Sequence, residues 1–351
     1  MNPWVLYQPL RLREARLSSR IENTVASARE VAGLPYLSTQ RIDVLEVRNY
    51  LDAIDLGAKA IGLGEDEPRQ ITESLIRQLH QRLLRDTPGA DRKRPGNYRD
   101  RLVYIGDERL GFERARFVPP PASEVPHLMR ELVGFMRQPP EGLPALLAVG
   151  MAHYQFETIH PFADGNGRLG RMLITLGLCD RGVLSAPPIY PSGYIDANKQ
   201  EYYDSLLAVS TQGDWGRWLR FFLEAVRSQA VDTLSRMKEL LRLREDIRSR
   251  AAHRSLSARF LSTIDHLFAE PVITAASLNR AVGGGAQTSR NYIKILCDLD
   301  VLKEITGKRR AARTWRGRSS ESRIRTDPTL APPTASSARV RRRGGRGSCR
   351  R

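Results

Sequence analysis

Cysteine is scarce in this chain, with three among 351 residues, Cys179, Cys297 and Cys349. They lie far apart and form no Cys-x-x-Cys pair, so the sequence supports neither a disulfide framework nor a cysteine zinc site. Unbroken apolar runs of roughly 20 residues, which a membrane-spanning helix needs, are also missing. The first residues lack the basic segment and apolar run of a secretory signal. We therefore expect a cytoplasmic protein that makes no membrane contact.

Acidic residues are in short supply as well, 39 against 56 Lys and Arg, which gives a net charge of +17. The excess is local, because residues 308–351 hold 15 Lys and Arg against Glu321 and Asp327, a net +13. The rest of the chain is nearly balanced, which weakens the case for a nucleic-acid binder. From about Arg316 the composition predicts a disordered tail. Two origins of this tail stay open: a native segment, or the product of a shifted reading frame.

The segment His160–Arg171, with the sequence HPFADGNGRLGR, carries the densest chemistry of the chain. The apolar stretches on either side, 143–159 and 169–179, predict two buried helices. Pro161 cannot continue the first helix, so His160 should stand at its end. The glycine-rich turn then leaves backbone N–H groups free at the start of the second helix. Such a helix N-terminus is a ready anion site.

Three side chains of this segment favour a polyphosphate site over a simple turn. Arg168 and Arg171 lie three apart on one face of the first helical turn, where their guanidinium groups could grip phosphate. Without an anion, arginines at a helix N-terminus cost roughly 0.3–1 kcal/mol each. Asp164 suits Mg²⁺ beside phosphate, because this ion takes one or two carboxylates and completes its shell with phosphate oxygens and water.

This segment resembles the signature of the Fic family, His-x-Phe-x-Asp/Glu-Gly-Asn-Gly-Arg-x-x-Arg, and matches it at every defined position. The resemblance implies a protein adenylyltransferase, which transfers AMP from ATP to a Ser, Thr or Tyr hydroxyl of a target protein and releases pyrophosphate. It implies that His160 is the base that deprotonates the hydroxyl and that Asp164 binds Mg²⁺. The residues implied to bind the nucleotide here are Asp164, Gly165, Asn166, Gly167, Arg168, Leu169, Gly170 and Arg171.

Gly167 bears on the type of reaction, because the phosphate-transferring Doc branch of the family carries lysine at this position. Glycine leaves room for a full triphosphate and so favours AMP transfer. The residues that bind the triphosphate do not contact the base, so UTP, CTP and GTP remain possible nucleotide donors beside ATP. Downstream, residues 190–203 resemble the segment that closes over the adenine, which implies contacts from Asn198, Tyr202 and Tyr203. The two tyrosines are equally typical of a packed core.

A second resemblance lies upstream, where residues 18–23 fit the family's inhibitory motif, Ser/Thr-x-x-x-Glu-Gly/Asn. In relatives the glutamate reaches the second arginine of the main signature, here Arg171, and prevents productive placement of the γ-phosphate. The resemblance implies this role for Glu22, with Ser18 at the first motif position. In some relatives the same glutamate also aids removal of AMP. As a bare pattern, Ser19-x-x-Glu22 equally fits a capping box at a helix start.

Residues 102–119 resemble the family's flap, a β-hairpin whose edge aligns a segment of the target protein. We expect a mainly α fold: a Fic-type helical core with a small β-hairpin flap, followed by a winged-helix-like domain and a disordered basic tail. The expected divisions are an N-terminal helical region with the inhibitory motif at 1–66, the catalytic domain at 67–230, a linker helix at 231–252, the winged-helix-like domain at 253–315 and the tail at 316–351.

The winged-helix expectation depends on the order of elements from Phe260 onward, which is helix, helix, glycine turn, helix. The residues expected on the last helix and in the wing are Gln287, Thr288, Ser289, Arg290 and Lys294, and Lys308 to Arg310. An alternative function follows, a DNA-binding regulator or a toxin–antitoxin type module in which the Fic core is a sensor. The intact signature favours the enzyme. For the winged helix, docking of a target or formation of a homodimer is favoured over DNA binding.

Overall fold

The computed structural model describes residues 4–33, 41–62, 70–106, 111–185, 189–252, 257–304 and 313–315. The helices are α1 Trp4–Ile21, α2 Ala28–Gly33, α3 Ile42–Ala60, α4 Glu73–Leu83, α5 Ala90–Lys93, α6 Val125–Arg137, α7 Ala145–Ile159, α8 Asn166–Asp180, α9 Ser192–Ala197, α10 Lys199–Gln212, α11 Trp215–Ala252, α12 Ala258–Ala269, α13 Ala275–Val282 and α14 Gly285–Asp298. The strands are β1 Val272–Ile273, β2 Leu302–Glu304 and β3 Arg313–Trp315. The expected mainly α fold is confirmed.

Helices α7 and α8 form the centre of the molecule and pack against each other. Both are buried because they are apolar almost all round, as the sequence predicts. Helix α7 ends at Ile159, since Pro161 cannot continue it. Helix α8 begins at Asn166, three residues before its predicted start, because Gly165 takes the left-handed conformation (φ +79°) that a side chain would strain.

Helix α1 is enclosed on several sides. It packs against α3, α8 and α9 and also against α12, which belongs to the C-terminal part of the chain. Its apolar residues Tyr7, Leu10 and Ala15 join the main core. The helix also buries the polar side chains of Glu14 and Ser18. A helix that buries polar groups needs specific partners for them, and the partners of Ser18 lie in the candidate active site.

A second core lies beside the first, where α10 and α11 pack together. It is built on aromatic rings, with Tyr202, Trp218 and Phe222 all nearly inaccessible to solvent. Helix α11 runs without a break from Trp215 to Ala252, so the predicted linker helix 231–252 is the second half of one long helix. No helix in the described part of the chain is long and apolar enough to cross a membrane.

The C-terminal part has its own core and a small antiparallel sheet of order β1-β3-β2. Thr314 of β3 is the register partner of Val272 on one side and of Lys303 on the other. Ser289 is a correction: we expected it on the surface of α14, but it is buried and its hydroxyl donates to Gly285 O at 3.2 Å. It shares the inner face of α14 with Ile293 and Leu296. Assignment as a winged helix stays a prediction.

The predicted flap is a single antiparallel bridge in the described residues, between Ile105 and Phe117. The amide of Ile105 donates to Phe117 O at 2.9 Å, and the amide of Phe117 donates back at 3.1 Å. Residues Phe112–Arg114 form a 3₁₀ turn where a β-prone run was expected. Residues 107–110, the wing 308–310 and the tail 316–351 lie outside the described residues.

Candidate active site

His160 stands at the end of α7 in the left-handed conformation, with φ +48° and ψ +60°. This conformation is uncommon for a residue with a side chain and needs support from its surroundings. Its amide donates to Phe156 O at 3.0 Å, which closes the last turn of α7. The chain reverses here and delivers the residues of the signature to the start of α8.

Arg99 supplies that support and was not among the predicted site residues. Its side chain is buried, and its Nε donates to His160 O at 2.9 Å. The same guanidinium donates to Ile159 O at 3.3 Å and to Pro120 O at 2.5 Å. The Arg99 amide donates to Pro161 O at 2.9 Å. One residue therefore fixes the backbone on both sides of His160 and ties it to the end of the flap.

His80 holds the loop from the opposite side. Its Nδ1 accepts from the amide of Gly96 at 2.8 Å, so Nε2 carries the proton and donates to Asp164 O at 3.0 Å. The ring stacks on Phe162 with 3.7 Å between centroids. Burial lowers the pKa of His80 to about 4, which keeps the ring neutral and preserves this pattern of donors. Sequence reasoning missed this residue as well.

The electrostatic setting of His160 keeps its ring neutral. The pKa of His160 is lowered to about 4, chiefly by burial, and the Arg99 cation acts in the same direction. The backbone of Glu157 and the carboxylates of Glu22 and Asp164 act in the opposite direction without cancelling the effect of burial. The imidazole is therefore neutral near pH 7 and able to accept a proton.

Asn166 closes the loop with its side chain. Its Oδ1 accepts from the amide of Phe162 and its Nδ2 donates to Phe162 O, both at 2.9 Å. The side-chain amide is thereby occupied, and only the backbone of Asn166 is left for the predicted nucleotide contact. The amide of Gly165 donates to Asp164 Oδ1 at 2.6 Å.

Asp164 is the acid that could hold a metal ion. Its Oδ2 lies 2.7 Å from Lys93 Nζ, and its Oδ1 lies 3.8 Å from a nitrogen of Arg168. Burial alone would raise the pKa of Asp164, but Lys93 and Arg168 outweigh it and the pKa lies below its ordinary value. No cluster of three or more potential metal ligands occurs among the described residues. A single ionised carboxylate fits Mg²⁺ that is bound mainly by phosphate oxygens and water.

Arg171 is buried and bonded to the inhibitory motif. Its Nε donates to Ser18 Oγ at 3.0 Å, and one terminal nitrogen donates to Ser18 O at 2.9 Å and to Glu22 Oε1 at 2.8 Å. Ser18 lies in the last turn of α1, so the capping-box alternative, which needs a helix start at Ser19, is wrong. Residues 18–23 therefore lie at the end of α1, where Ser18 and Glu22 contact Arg171 of α8.

Glu22 lies over the first turn of α8. A Cβ added at Gly167 would come 2.4 Å from Glu22 Oε1, so the carboxylate sits directly against this glycine. Burial would raise the pKa of Glu22, yet the cation of Arg171 prevails and lowers it. In turn, burial would lower the pKa of Arg171, and Glu22 raises it instead. Both groups are ionised, and an anion occupies the predicted anion site.

Arg168 is bonded to a different carboxylate. One terminal nitrogen of Arg168 donates to Glu46 Oε2 at 2.8 Å, and Glu46 Oε2 also accepts from Thr24 Oγ1 at 2.8 Å. Glu46 lies on α3, outside the segment that carries the signature. Both arginines predicted to hold phosphates are thus paired with acids from the N-terminal region.

The remaining predicted contacts divide into two groups. The side chains of Leu169 and Tyr202 are buried in the cores, and Tyr202 OH bonds to His153 Nε2 at 2.8 Å. The prediction that Tyr202 contacts adenine is therefore wrong for this conformation, because its ring is enclosed by other aromatic residues. The side chain of Asn198 is also engaged, because its Nδ2 donates to Tyr194 O at 2.9 Å. Of the two tyrosines, Tyr203 is half-buried and is therefore the accessible one.

Gly170 allows close packing of α8 with α7. A Cβ there would come 2.3 Å from Glu157 Oε1. Its carbonyl lies 3.1 Å from His153 Nδ1. Burial raises the pKa of Glu157 to about 7, although the Arg171 cation lowers it. Gly170 is thus a packing position, and its predicted nucleotide contact stays untested.

Two family models match the chain: residues 70–178 match the Fic/DOC family, and residues 1–59 match the Fic/DOC family N-terminal model. A probable protein adenylyltransferase of Aquifex aeolicus is 28% identical over 191 residues, which are 54% of this chain and 54% of that protein. The protein adenylyltransferase Fic of Drosophila grimshawi is 27% identical over 181 residues, 51% of this chain and 34% of that protein. The match thus spans about half and about a third of these relatives.

Solved structures show the same fold. A Fic family protein from Desulfovibrio desulfuricans superposes with a TM-score of 0.53 at 22% identity, covering 88% of this chain and 86% of that one. Fic-1 of C. elegans superposes with a TM-score of 0.51 at 20% identity, covering 65% and 63% of the two chains. At this level of identity the similarity concerns the fold alone.

Proposed function

Residues 1–59 and 70–178 belong to the Fic/DOC family, and on that basis we propose that the protein transfers AMP from magnesium-bound ATP to a Ser, Thr or Tyr hydroxyl of a target protein. Glu22 holds this activity in check. The observation that carries the proposal is the contact of Glu22 with Arg171 above Gly167. A carboxylate there occupies guanidinium donors that a triphosphate needs and repels the γ-phosphate.

The reaction needs positioning and charge neutralisation more than covalent help from the protein. Neutral His160 accepts the proton of the target hydroxyl while the hydroxyl oxygen attacks the α-phosphorus. The bond from the α-phosphorus to the bridging oxygen breaks, and pyrophosphate leaves with that electron pair. The proton passes from His160 to solvent.

The start of α8 stabilises the negative charge of the phosphates. The free backbone N–H groups at the start of α8 and the guanidinium groups of Arg168 and Arg171 place positive charge next to the phosphates. When bound, magnesium would neutralise further phosphate charge, and Asp164 is the residue that would hold it. The bridge between Ile105 and Phe117 leaves a short backbone edge on which a target segment could align.

The DNA-binding alternative gains little support from charge. Among residues 257–304, five Lys and Arg residues face five acids, so this part of the C-terminal unit carries no net charge. Nonspecific attraction to nucleic acid needs accessible positive charge, which lies mainly in 308–351.

The proposal is tested with ATP labelled at the α-phosphate. The wild-type protein should incorporate little label into itself. The Glu22→Gly protein should incorporate at least roughly 10-fold more, because the substitution removes a charge-assisted contact of about 1.5–3 kcal/mol. Glu22→Gly combined with His160→Ala should incorporate none. His127→Ala is the matched control, because His127 is a surface histidine with 57% of its side chain exposed. Label that persists in the double variant would overturn the role of His160.

A further inference from the structure

The second acid in the site, Glu46, belongs to a rigid part of the fold. It lies within α3, and its neighbour Val47 is fully buried. The side chains of Arg168 and Glu46 are 4% and 13% exposed. Glu22 differs, because its side chain is 37% exposed and follows the last residue of α1. Glu22 can leave its arginine through movement of a helix end, whereas the backbone of Glu46 is held in the middle of α3.

The donors of Arg168 are only partly used. One terminal nitrogen is fixed by Glu46, and the other lies 3.8 Å from Asp164 Oδ1. The Nε of Arg168 is buried and has no hydrogen-bond partner among the described residues. A guanidinium held at one end keeps its remaining donors in a fixed direction, so less conformational entropy is lost when an anion binds.

We propose that Glu46 is a positioning residue that orients Arg168 toward the β-phosphate of the nucleotide. This inference rests on the proposed function, because it needs a nucleotide with more than one phosphate at the start of α8. Thr24, just beyond the inhibitory motif, donates to the same oxygen of Glu46 and fixes its orientation. The N-terminal region then has two opposed roles: Glu22 blocks the site, and Glu46 completes it.

The test is the affinity for ATP, ADP and AMP, measured by calorimetry with magnesium in the Glu22→Gly background. Glu46→Gln keeps the size of the side chain and removes its charge. We expect it to weaken ATP and ADP binding roughly 10-fold, with AMP binding unchanged, since about 1.4 kcal/mol of charge-assisted bonding corresponds to that factor. Asp52→Asn is the matched control, because Asp52 lies on the same helix and its ion pairs are with Arg48 and Arg85, whose side chains are exposed, and not with Arg168.

Two further variants keep the test decisive. In an Arg168→Gln background, Glu46→Gln should have no added effect, and an additive loss would overturn the proposal. If the melting curve shows that Glu46→Gln does not fold, Thr24→Val tests the same orientation without altering α3. It should weaken ATP binding about 2- to 3-fold, less than Glu46→Gln, because the carboxylate keeps its charge and its bond to Arg168 and loses only the hydroxyl that orients it. Unchanged or tighter ATP binding, or equal weakening of AMP, contradicts the inference. Absence of nucleotide binding by Glu22→Gly itself contradicts the proposed function instead.

Discussion

At the scale of single residues, the site depends on side chains that hold backbone in place. Arg99 and His80 bond to backbone carbonyl groups at the end of α7 and in the loop between α7 and α8. His160 adopts a strained backbone conformation between them. The strained conformation occurs at the residue whose imidazole must be oriented toward the hydroxyl, and the surrounding hydrogen bonds maintain it.

Arg99→Lys should therefore impair turnover more than nucleotide binding. A lysine has one compact ammonium group and cannot reach all four carbonyls that the guanidinium spans, those of Arg101, Pro120, Ile159 and His160. We expect a loss in kcat of roughly 10- to 100-fold, from about 1.4–2.7 kcal/mol of lost alignment, with Kd for ATP within about twofold. The measurement is α-label transfer in the Glu22→Gly background, with Arg101→Lys, an exposed neighbour, as control. A matching loss of ATP affinity would argue against a role in aiming His160.

His160 should remain neutral well below the pH at which an ordinary histidine protonates. Its pKa is lowered to about 4, so as the pH falls from 7 to 5 the ring should stay unprotonated. NMR of labelled histidine, assigned with His160→Ala, measures this directly. A midpoint near 6.5, the ordinary value for histidine, would show that the ring is hydrated and not enclosed as described.

At the scale of elements, one face of α1 leads to the predicted inhibitory glutamate. Glu14 and Ser18 are four residues apart and line the same side of the helix, and Glu22 follows directly after its last residue, Ile21. Glu14 is 1% exposed, and its Oε1 accepts from Tyr50 OH at 3.0 Å and Ser192 Oγ at 2.5 Å. Burial raises the pKa of Glu14, although the hydroxyl groups of Ser192 and Tyr50 and the charge of Arg171 act in the opposite direction.

Glu14→Gln should change how stability depends on pH. The folded protein keeps a proton on Glu14 that the unfolded chain releases above its ordinary pKa, so wild-type stability falls as the pH rises. Glutamine is neutral throughout and removes this term. The melting temperature of the variant, relative to wild type, should accordingly be higher at pH 8 than at pH 5. A difference that is the same at both pH values would mean that Glu14 is ionised in the folded protein.

The sequence predicts the elements of the site better than their partners. Apolar periodicity and Pro161 locate α7, and the signature locates the loop and α8. Arg99 and Glu46 carry no local signal, because a buried Arg or Glu looks like a surface residue until distant carbonyls and charges are brought to it. The predicted contact of Tyr202 with adenine has a related problem, because the spacing of aromatic residues is the same in a packed core and in a site that binds a nucleotide base.

At the scale of the whole molecule, α1 contacts both the part of the chain that carries the signature and the C-terminal part. Helix α1 packs against α3, α8 and α9 on the catalytic side and against α12, while α2 packs against β1. Residues distant from the signature can thus influence the position of Glu22. In the proposed function, the protein transfers AMP once Glu22 is removed from Arg171.

The most direct test compares ATP labelled at the α-phosphate with ATP labelled at the γ-phosphate, using the Glu22→Gly protein. AMP transfer moves only the α-phosphate to protein, because pyrophosphate carries the γ-phosphate away. The account predicts label from the α-position, none from the γ-position, and none from either after His160→Ala is added. Transfer of γ-label, or no transfer at all by folded Glu22→Gly protein that binds ATP, would contradict it.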